Sequence, residues 1–503
     1  MKTKIKLTTA AALTLTTIAA VAQTEKPNII IINADDIGYG DFSCYGMQTI
    51  KTPNVDRLAN QGVRFTNAHT TSATSTPSRF GLLTGKYPWR VNGTGVAAGD
   101  AAMIIKPEQL TVADMLKRAG YTTAAVGKWH LGIGDKTGQQ NWNGKITPAL
   151  DEIGFDYSMI MAATADRVPC VYIENGKVLN VDPNDPIVVS YGAPIEGEPT
   201  GAKNPELLRI HPSHGHDQGI VDSISRIGYM KGGKSALWKD ELIADEIVAA
   251  STNFIKNNVD KPFFLFMATN DVHVPRVPHW RFKDQSGMGY RGDALLSFDW
   301  SVGEVLNTLD SLGIADNTLV ILTSDNGPVL DDGYIDGAVK LVGSHRPSGE
   351  FRGGKYSAYE GGTRVPFIVK WAGEAKGGAV SDALISQVDI YATLAEIAGQ
   401  KLDANEAVDS ESYVKAMLGK SKNAREEVVL DAYTRALIQG DWKYIRPSNR
   451  FKYAWQTGIE TACDKEPQLF NLKNDPSELY NLAKENENLV VEMEQKLKAV
   501  EQK

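Results

Sequence analysis

Asn28-Ile29-Ile30-Ile31-Ile32-Asn33 runs through Ala34 into Asp35-Asp36, and the contrast between those two halves decides the fold. Four successive β-branched residues with no polar alternation read as a strand buried on both faces. The pattern recurs three times. Thr122–Val126 (TTAAV) leads into Gly127-Lys128-Trp129-His130, Pro262–Ala268 (PFFLFMA) into Asn270-Asp271-Val272-His273, and Thr318–Thr323 (TLVILT) into Ser324-Asp325-Asn326-Gly327. Amphipathic segments at Leu110–Ala119, Glu241–Asn257 and Ala294–Leu312 lie between or beside these runs. The alternation predicts an α/β fold with a large, mostly parallel or mixed sheet flanked by helices. Ligands of such sheets bind beyond the carboxyl ends of the strands, so the four polar clusters are expected to meet on one edge.

At 503 residues the chain is long enough for a large core and more than one domain. Met1–Ala22 has the form of a secretory signal: Lys2, Lys4 and Lys6, an apolar Leu7–Ala20, and the small-x-small site Ala20-Val21-Ala22. Loss of those three lysines takes the net charge from −8 to −11. So acidic a chain argues against nucleic acid as a partner, and any anion site must be built from local positive charge. No later run approaches a membrane span and no cysteine marks a lipid anchor, so the expected product is exported to a periplasm or secreted. Cys44, Cys170 and Cys463 follow no metal-type spacing and read as mostly buried free thiols.

Ser75-Thr76-Pro77-Ser78-Arg79-Phe80-Gly81-Leu82-Leu83-Thr84-Gly85-Lys86 predicts a helix, with Pro77 just inside its start and Gly85 near its end. Ser75 then lies where unpaired N–H groups favour an anion, and Arg79 projects from the same face. Asp35, Asp36, Asp325 and Asn326 form an oxygen-only set suited to a hard divalent cation. This S-T-P-S-R-F-G-L-L-T-G-K string resembles the signature of the type I, formylglycine-dependent sulfatases, of the serine type, within the alkaline-phosphatase-like superfamily. The resemblance extends through G-K-W-H-L-G to the D-P-S-E-L-Y-N-L segment and covers most of the mature chain.

The resemblance implies that Ser75 is converted to formylglycine by a maturation enzyme. It also implies that Asp35, Asp36, Ser75, Asp325 and Asn326 hold one cation, Ca²⁺ in preference to Mg²⁺. Arg79, Lys128 and Lys355 match the family's cationic positions, and His130 and His273 its histidines. In the implied mechanism Asp325 helps to remove the nucleophile's proton, and His273, with Lys355, protonates the leaving alcohol. His130 then takes the proton whose loss expels sulfate. Read without the family, Lys355 is rather a surface lysine in the Gly-rich stretch Lys340–Arg364, whose glycines allow a ligand to approach the backbone.

Between Asp135 and Ser235 periodicity is lost, which predicts a loop-rich substrate insertion. It carries Asp166-Arg167 and His211-Pro212-Ser213-His214-Gly215-His216. Asp166, Arg167, His211 and His214 are the candidate substrate-binding residues; a zinc site on His211, His214 and His216 is the alternative. Strings A-T-A-D-R-V-P and H-P-S-H-G-H resemble bacterial sulfatases acting on 6-O-sulfated galactose or N-acetylgalactosamine. The implied substrate is a sulfated saccharide, such as a chondroitin 6-sulfate fragment. The alternatives are N-acetylglucosamine 6-sulfate, a phosphate or phosphonate monoester, and an inactive sulfated-glycan-binding protein. Val365–Lys370 reads as a strand and Gln387–Ala398 as a helix. The domains are expected at 1–22 (signal), 23–400 (catalytic) and 401–503. The last carries short strands at Val428–Leu430, Ala436–Ile438, Lys443–Arg446 and Gln468–Leu472 and a helix at Glu487–Val500.

Overall fold

The structure is a computed structural model that describes residues 26–503. The signal-like segment lies outside them; among the described residues no helix is long and apolar enough to cross a membrane. Ten strands form the principal sheet: β1 Asn28–Ala34, β2 Val63–Phe65, β3 Thr122–Lys128, β4 Tyr157–Met161, β5 Tyr172–Glu174, β6 Lys177–Val178, β7 Phe263–Ala268, β8 Thr318–Ser324, β9 Phe367–Lys370 and β10 Ala379–Ser381. Their order is β10-β2-β9-β8-β1-β7-β3-β4-β5-β6. The four apolar runs are therefore the adjacent parallel strands β8, β1, β7 and β3, with Ile30 level with Val320 on one side and Leu265 on the other. The sheet turns antiparallel where β9 joins β8 and where β5 joins β4.

All seven residues of β1 are buried, which requires cover on both faces. One helix group is α1 Pro53–Gln61, α4 Ile243–Asn257 and α5 Gly289–Ser311; the other is α2 Ser75–Thr84, α3 Val112–Arg118 and α6 Ile390–Ile397. Local chemistry sets their ends. Thr111 Oγ1 accepts from the Asp114 N–H at 3.2 Å while Asp114 Oδ2 accepts from the Thr111 N–H at 2.9 Å. That reciprocal cap is worth about 1 kcal/mol to α3. Gly85 ends α2 at φ 62°, where its N–H donates to Gly81 O. Truncating a central core residue such as Ile30 to Ala would cost about 2–5 kcal/mol.

Two expectations need correction. The segment from Asp135 to Ser235 is not all insertion, because β4 pairs in parallel with β3 and β5 and β6 extend the sheet. Gly354 and Gly362 of the Lys340–Arg364 stretch serve backbone packing: a Cβ on Gly362 would lie 2.0 Å from Ser357 O, and one on Gly354 2.5 Å from Pro328 O. The three cysteines are free, and burial pushes the Cys44 and Cys170 thiols up to about 12.

Beyond α6 the chain forms an antiparallel sheet, β11 Glu427–Asp431, β12 Arg435–Gln439, β13 Trp442–Ile445 and β14 Gln468–Asn471, followed by α7 Glu487–Gln502. Alternation sorts its two faces. Val429, Leu437, Tyr444 and Leu469 pack on Met493 and Leu497 of α7. Val428, Leu430, Ile438 and Phe470 pack with Ala358, Tyr359 and Leu384 of the large domain. Within that interface Lys443 Nζ lies 2.9 Å from both Glu360 and Glu478, all three side chains being fully buried.

Candidate active site

The ends of β1, β3, β7 and β8 and the start of α2 converge as the strand pattern requires. Ser75 is the first residue of α2, 3% exposed, after an extended Thr74. The loop before it is propped by the C-terminal sheet: Ala73 N donates to Asp431 O at 2.9 Å and Asp431 N to Thr71 O at 3.1 Å. Ser75 Oγ donates to Asn326 Oδ1 at 3.2 Å and accepts from Lys128 Nζ at 2.9 Å. Lys128 Nζ also lies 2.6 Å from Asp35. Arg79 donates from Nε (3.0 Å) and Nη2 (2.8 Å) to Asp325 Oδ2, and from Nη1 to Lys128 O. Asn326 Nδ2 donates to Asp36 Oδ1 at 2.7 Å, and Lys355 Nζ donates to Asp36 and Asp332 at 2.8 Å each. Lys355, which its local sequence alone reads as a surface lysine, is buried in the site, as the family resemblance implies.

Charge counting tests the fit of a cation. Asp35, Asp36, Asp325 and Asp332 are buried against the cations Arg79, Lys128 and Lys355, a net charge of −1. Burial first, then the nearby Asp325 and Asp36, push Asp35 well above the ordinary carboxylate range despite Lys128. Its Oδ2 has no well-aligned hydrogen-bond donor. A divalent cation among these oxygens relieves that repulsion and leaves the floor net positive, as an anionic substrate requires. The residues present therefore fit such an ion. Asp35, Asp36 and His273 bring their ligand atoms within 4.8 Å of one another, which adds a nitrogen to the expected oxygen-only neighbourhood. Burial also acts on Asp325, but Arg79 and Lys128 outweigh it and hold that carboxyl well below its usual range.

Both histidines are held neutral by burial, reinforced by lysines: Lys128 beside His130, whose pKa falls well below its usual value, and Lys355 beside His273, lowered to about 4. His130 Nε2 faces Ala97 O at 3.0 Å, which leaves the buried Nδ1 as an unpartnered lone pair. His273 Nδ1 donates to Val274 O at 2.7 Å and its Nε2 lies 3.8 Å from Asp36 and 3.9 Å from Asp332. Asp36 (φ 55°), His130 (φ 58°), His216 (φ 49°) and Tyr356 (φ 74°) all adopt left-handed backbone at the site. Such conformations cost about 1–3 kcal/mol each and cluster where geometry must be imposed.

Above this floor lies a cleft of about 320 Å³ whose lining includes Ser75, Asp166, Arg167, His214, His216 and Lys355. Arg167 Nη1 donates to Asp166 Oδ1 at 2.8 Å, and His216 Nε2 meets Asp166 Oδ2 at the same distance. Burial opposes protonation of His216, but the Asp166 carboxylate raises its pKa overall. His214 Nε2 bonds the Gln456 carbonyl. His211 is a correction to the expected substrate set: its side chain is exposed, it does not line the cleft, and only its carbonyl is engaged, by Ile335 N. His214 and His216 bind separate partners and the His211 side chain is exposed, so the zinc alternative finds no convergent ligand set among the described residues. The sequence does not single out Asp332, Tyr356, Trp455 or Gln456, and it offers His216 only as a member of the histidine cluster and of the zinc alternative. Asp332 alone carried a faint signal, as the second residue of an acidic pair seven positions after Asp325.

Comparison with known proteins agrees with this geometry. The sulfatase family model matches residues 27–400, and a model of the N-sulphoglucosamine sulphohydrolase C-terminal region matches residues 350–503. The chain belongs to the sulfatase family, the sulfuric ester hydrolases. It is 54% identical over 95% of its length to a Bacteroides thetaiotaomicron protein named N-acetylgalactosamine-6-O-sulfatase, covering 93% of that protein. It is 31% identical over 92% of its length to human arylsulfatase A, covering 85% of it. A solved Bacteroides thetaiotaomicron structure, described under the metabolism of multiple glycosaminoglycans by a core genetic locus, superposes with a TM-score of 0.94 at 53% identity. It covers 95% of this chain and 100% of that one.

Proposed function

We propose that this protein hydrolyses the 6-O-sulfate of a galacto-configured residue, N-acetylgalactosamine or galactose, at the end of chondroitin-type fragments. It does so as an exported enzyme matured at Ser75. The observation that carries the substrate is the Asp166–Arg167–His216 group on the cleft wall beside Ser75. It stands in a chain 54% identical to a protein named for that substrate. Arg donors and carboxylate acceptors are directional, so this group can tell an axial hydroxyl from an equatorial one.

A calcium ion held by Asp35, Asp36, Asp325, Asn326 and residue 75, and a formylglycine hydrate derived from Ser75, would supply charge neutralisation and the nucleophilic oxygen. The chain's own groups do the rest. Lys128 Nζ, 2.9 Å from Ser75 Oγ, lies beside the attacking oxygen and donates toward a sulfuryl oxygen. Arg79 fixes Asp325 through two N–H bonds and keeps it ionised, able to take the attacking group's proton. His273 presents Nε2 to the cleft next to Lys355; an arriving sulfate monoanion raises its proton affinity so that it can protonate the departing alkoxide. The free Nδ1 of His130 accepts the proton whose removal lets sulfate leave.

The test is sulfate release from N-acetylgalactosamine 6-sulfate and N-acetylglucosamine 6-sulfate by wild type, Asp166→Ala, Arg167→Ala and His214→Ala, with an aryl phosphate as the control ester. Preference for the galacto epimer that falls in the variants is expected. Preference for the gluco epimer, full activity in all three variants, or faster phosphate turnover would overturn the proposal.

A further inference from the structure

One loop of the C-terminal domain is unlike the rest of this acidic chain. Arg450-Phe451-Lys452-Tyr453-Ala454-Trp455-Gln456 alternates basic with aromatic residues, and Phe451, Tyr453 and Trp455 are 72%, 55% and 70% exposed. Clustered aromatics at that exposure mark a surface meant to be covered.

Their backbone is nevertheless held. Thr461 N and Oγ1 donate to Lys452 O at 2.9 and 3.1 Å, and Ala454 N donates to Ile459 O at 2.8 Å. Gln456 Nε2 bonds Tyr433 Oη at 3.0 Å and its carbonyl receives His214. The ordering cost of a binding loop is therefore largely met before any ligand arrives.

Two observations join the loop to the reaction cleft. Trp455 and Gln456 line the same cavity as Ser75 and Asp166. Tyr356, on the cleft wall, stacks on Tyr433 with ring centroids 5.8 Å apart at 17°, and the Arg450 guanidinium lies 6.0 Å from the Tyr433 centroid. Lys452 approaches Glu460 at 3.9 Å and the Tyr453 ring centroid at 5.9 Å and keeps its charge at the surface. In a protein of net charge −8, a loop that carries two cations within five residues of the cleft-lining Trp455 is a local reversal of sign.

We propose that this loop is a second sugar subsite, in which Trp455 stacks on the C–H face of the ring glycosidically linked to the sulfated residue while Arg450 and Lys452 face that ring's carboxylate. The ligand class is thus an anionic disaccharide or longer chain with a hexuronate next to the terminal sulfated hexosamine. This rests on the galacto 6-O-sulfate reading. An aromatic face supplies contact area insensitive to hydroxyl pattern, and the two cations supply selection for a uronate over a neutral sugar.

The experiment compares kcat/KM of wild type, Trp455→Ala, Trp455→Phe and the double variant Arg450→Ala/Lys452→Ala. The substrates are N-acetylgalactosamine 6-sulfate alone and the same residue linked to glucuronate. The expected wild-type ratio of disaccharide to monosaccharide is about tenfold or more. It should collapse toward one in Trp455→Ala, survive in Trp455→Phe, and fall with steep salt dependence lost in the double variant. A ratio near one in wild type, or one unmoved by Trp455→Ala, would overturn the subsite. The galacto assignment fails separately, if wild type converts the gluco monosaccharide better than the galacto one. Turnover of neither saccharide would overturn both.

Discussion

The floor and the rim of the cleft are built on different principles. The floor is a set of charged groups at the ends of adjacent parallel strands and the start of one helix, nearly all fully buried, each tied to two or three others. The rim comes from loops at Asp166–Arg167, His214–Gln218 and Trp455–Gln456, which meet only in three dimensions and include exposed side chains. On the proposed reading, chemistry shared by many sulfate esters sits on rigid strand ends, and the groups that choose among them sit on loops. Loss of a floor group should abolish turnover of any substrate, whereas loss of a rim group should change only the choice.

Ser75→Ala gives the sharpest version. It should lower turnover of every sulfate ester by at least about 10⁴-fold, while far-UV and near-UV circular dichroism stay native. Its stability cost should be about 1 kcal/mol, since one hydroxyl bonded to Asn326 and Lys128 is lost. Multiple turnover by pure Ser75→Ala would erase the distinction between floor and rim.

Removal of divalent cations is next in size and acts on stability as well as rate. With four carboxylates gathered at the floor, calcium at a hundredfold excess over its Kd should stabilise the fold by about 2.7 kcal/mol. A chelator should lower Tm and added calcium restore it. The response should vanish in Asp35→Asn/Asp36→Asn but persist in Asp166→Ala. Equal calcium responses in all three proteins would contradict the placement of the ion.

At the rim, Asp166→Ala should reduce the galacto-to-gluco ratio of kcat/KM by about 10–100-fold, the value of one or two lost directional bonds. Activity on a small aryl sulfate, which has no sugar hydroxyls to read, should fall much less. A uniform loss on all substrates would move Asp166 from the rim into the floor.

The smallest effect lies away from the cleft, at the interface of the two domains. Burial, with Glu360 alongside, pushes Glu478 up to about 7 in spite of Lys443. Burial pushes Glu360 the same way, but Lys443, His69 and Arg364 outweigh it and hold Glu360 below its usual range. Glu478 therefore keeps its proton more tightly folded than unfolded. Its contribution is fully present below its ordinary pKa of 4.5 and is lost as pH rises through about 7. Tm should decline between pH 5 and pH 8, and Glu478→Gln should flatten that decline; an identical slope in the variant would refute it.

The floor was legible in the sequence for a physical reason. A strand covered on both faces must be continuously apolar, so its polar end stands out, and β1, β3, β7 and β8 each announced the residues at their tips. The strand β4 did not. Tyr-Ser-Met-Ile-Met is short, carries a serine and lies in a stretch rich in Gly, Pro and Asn, so nothing local separates it from the loops around it. Asp332 and His216 were obscure for another reason. Their significance lies in what they touch, Lys355 and Asp166, 23 and 50 residues away, and no periodicity encodes a contact between loops. His211 shows the converse: three histidines in six positions looked like one site, yet an irregular backbone aimed them at different neighbours.

The crossed connections of the sheet also impose an order in time. Ser75 is 3% exposed, and the groups enclosing it, Lys128 and Asn326, follow it in the chain by 53 and 251 residues. While the chain is still emerging, before those groups exist, that serine lies on a short polar segment without them. Once β8 docks beside β1 and brings in Asn326, that serine is buried to 3% exposure at the floor of the cleft. On the proposed maturation of Ser75, the modifying enzyme has a window that closes as β8 joins the sheet, so the speed of folding becomes a determinant of how many finished molecules are competent.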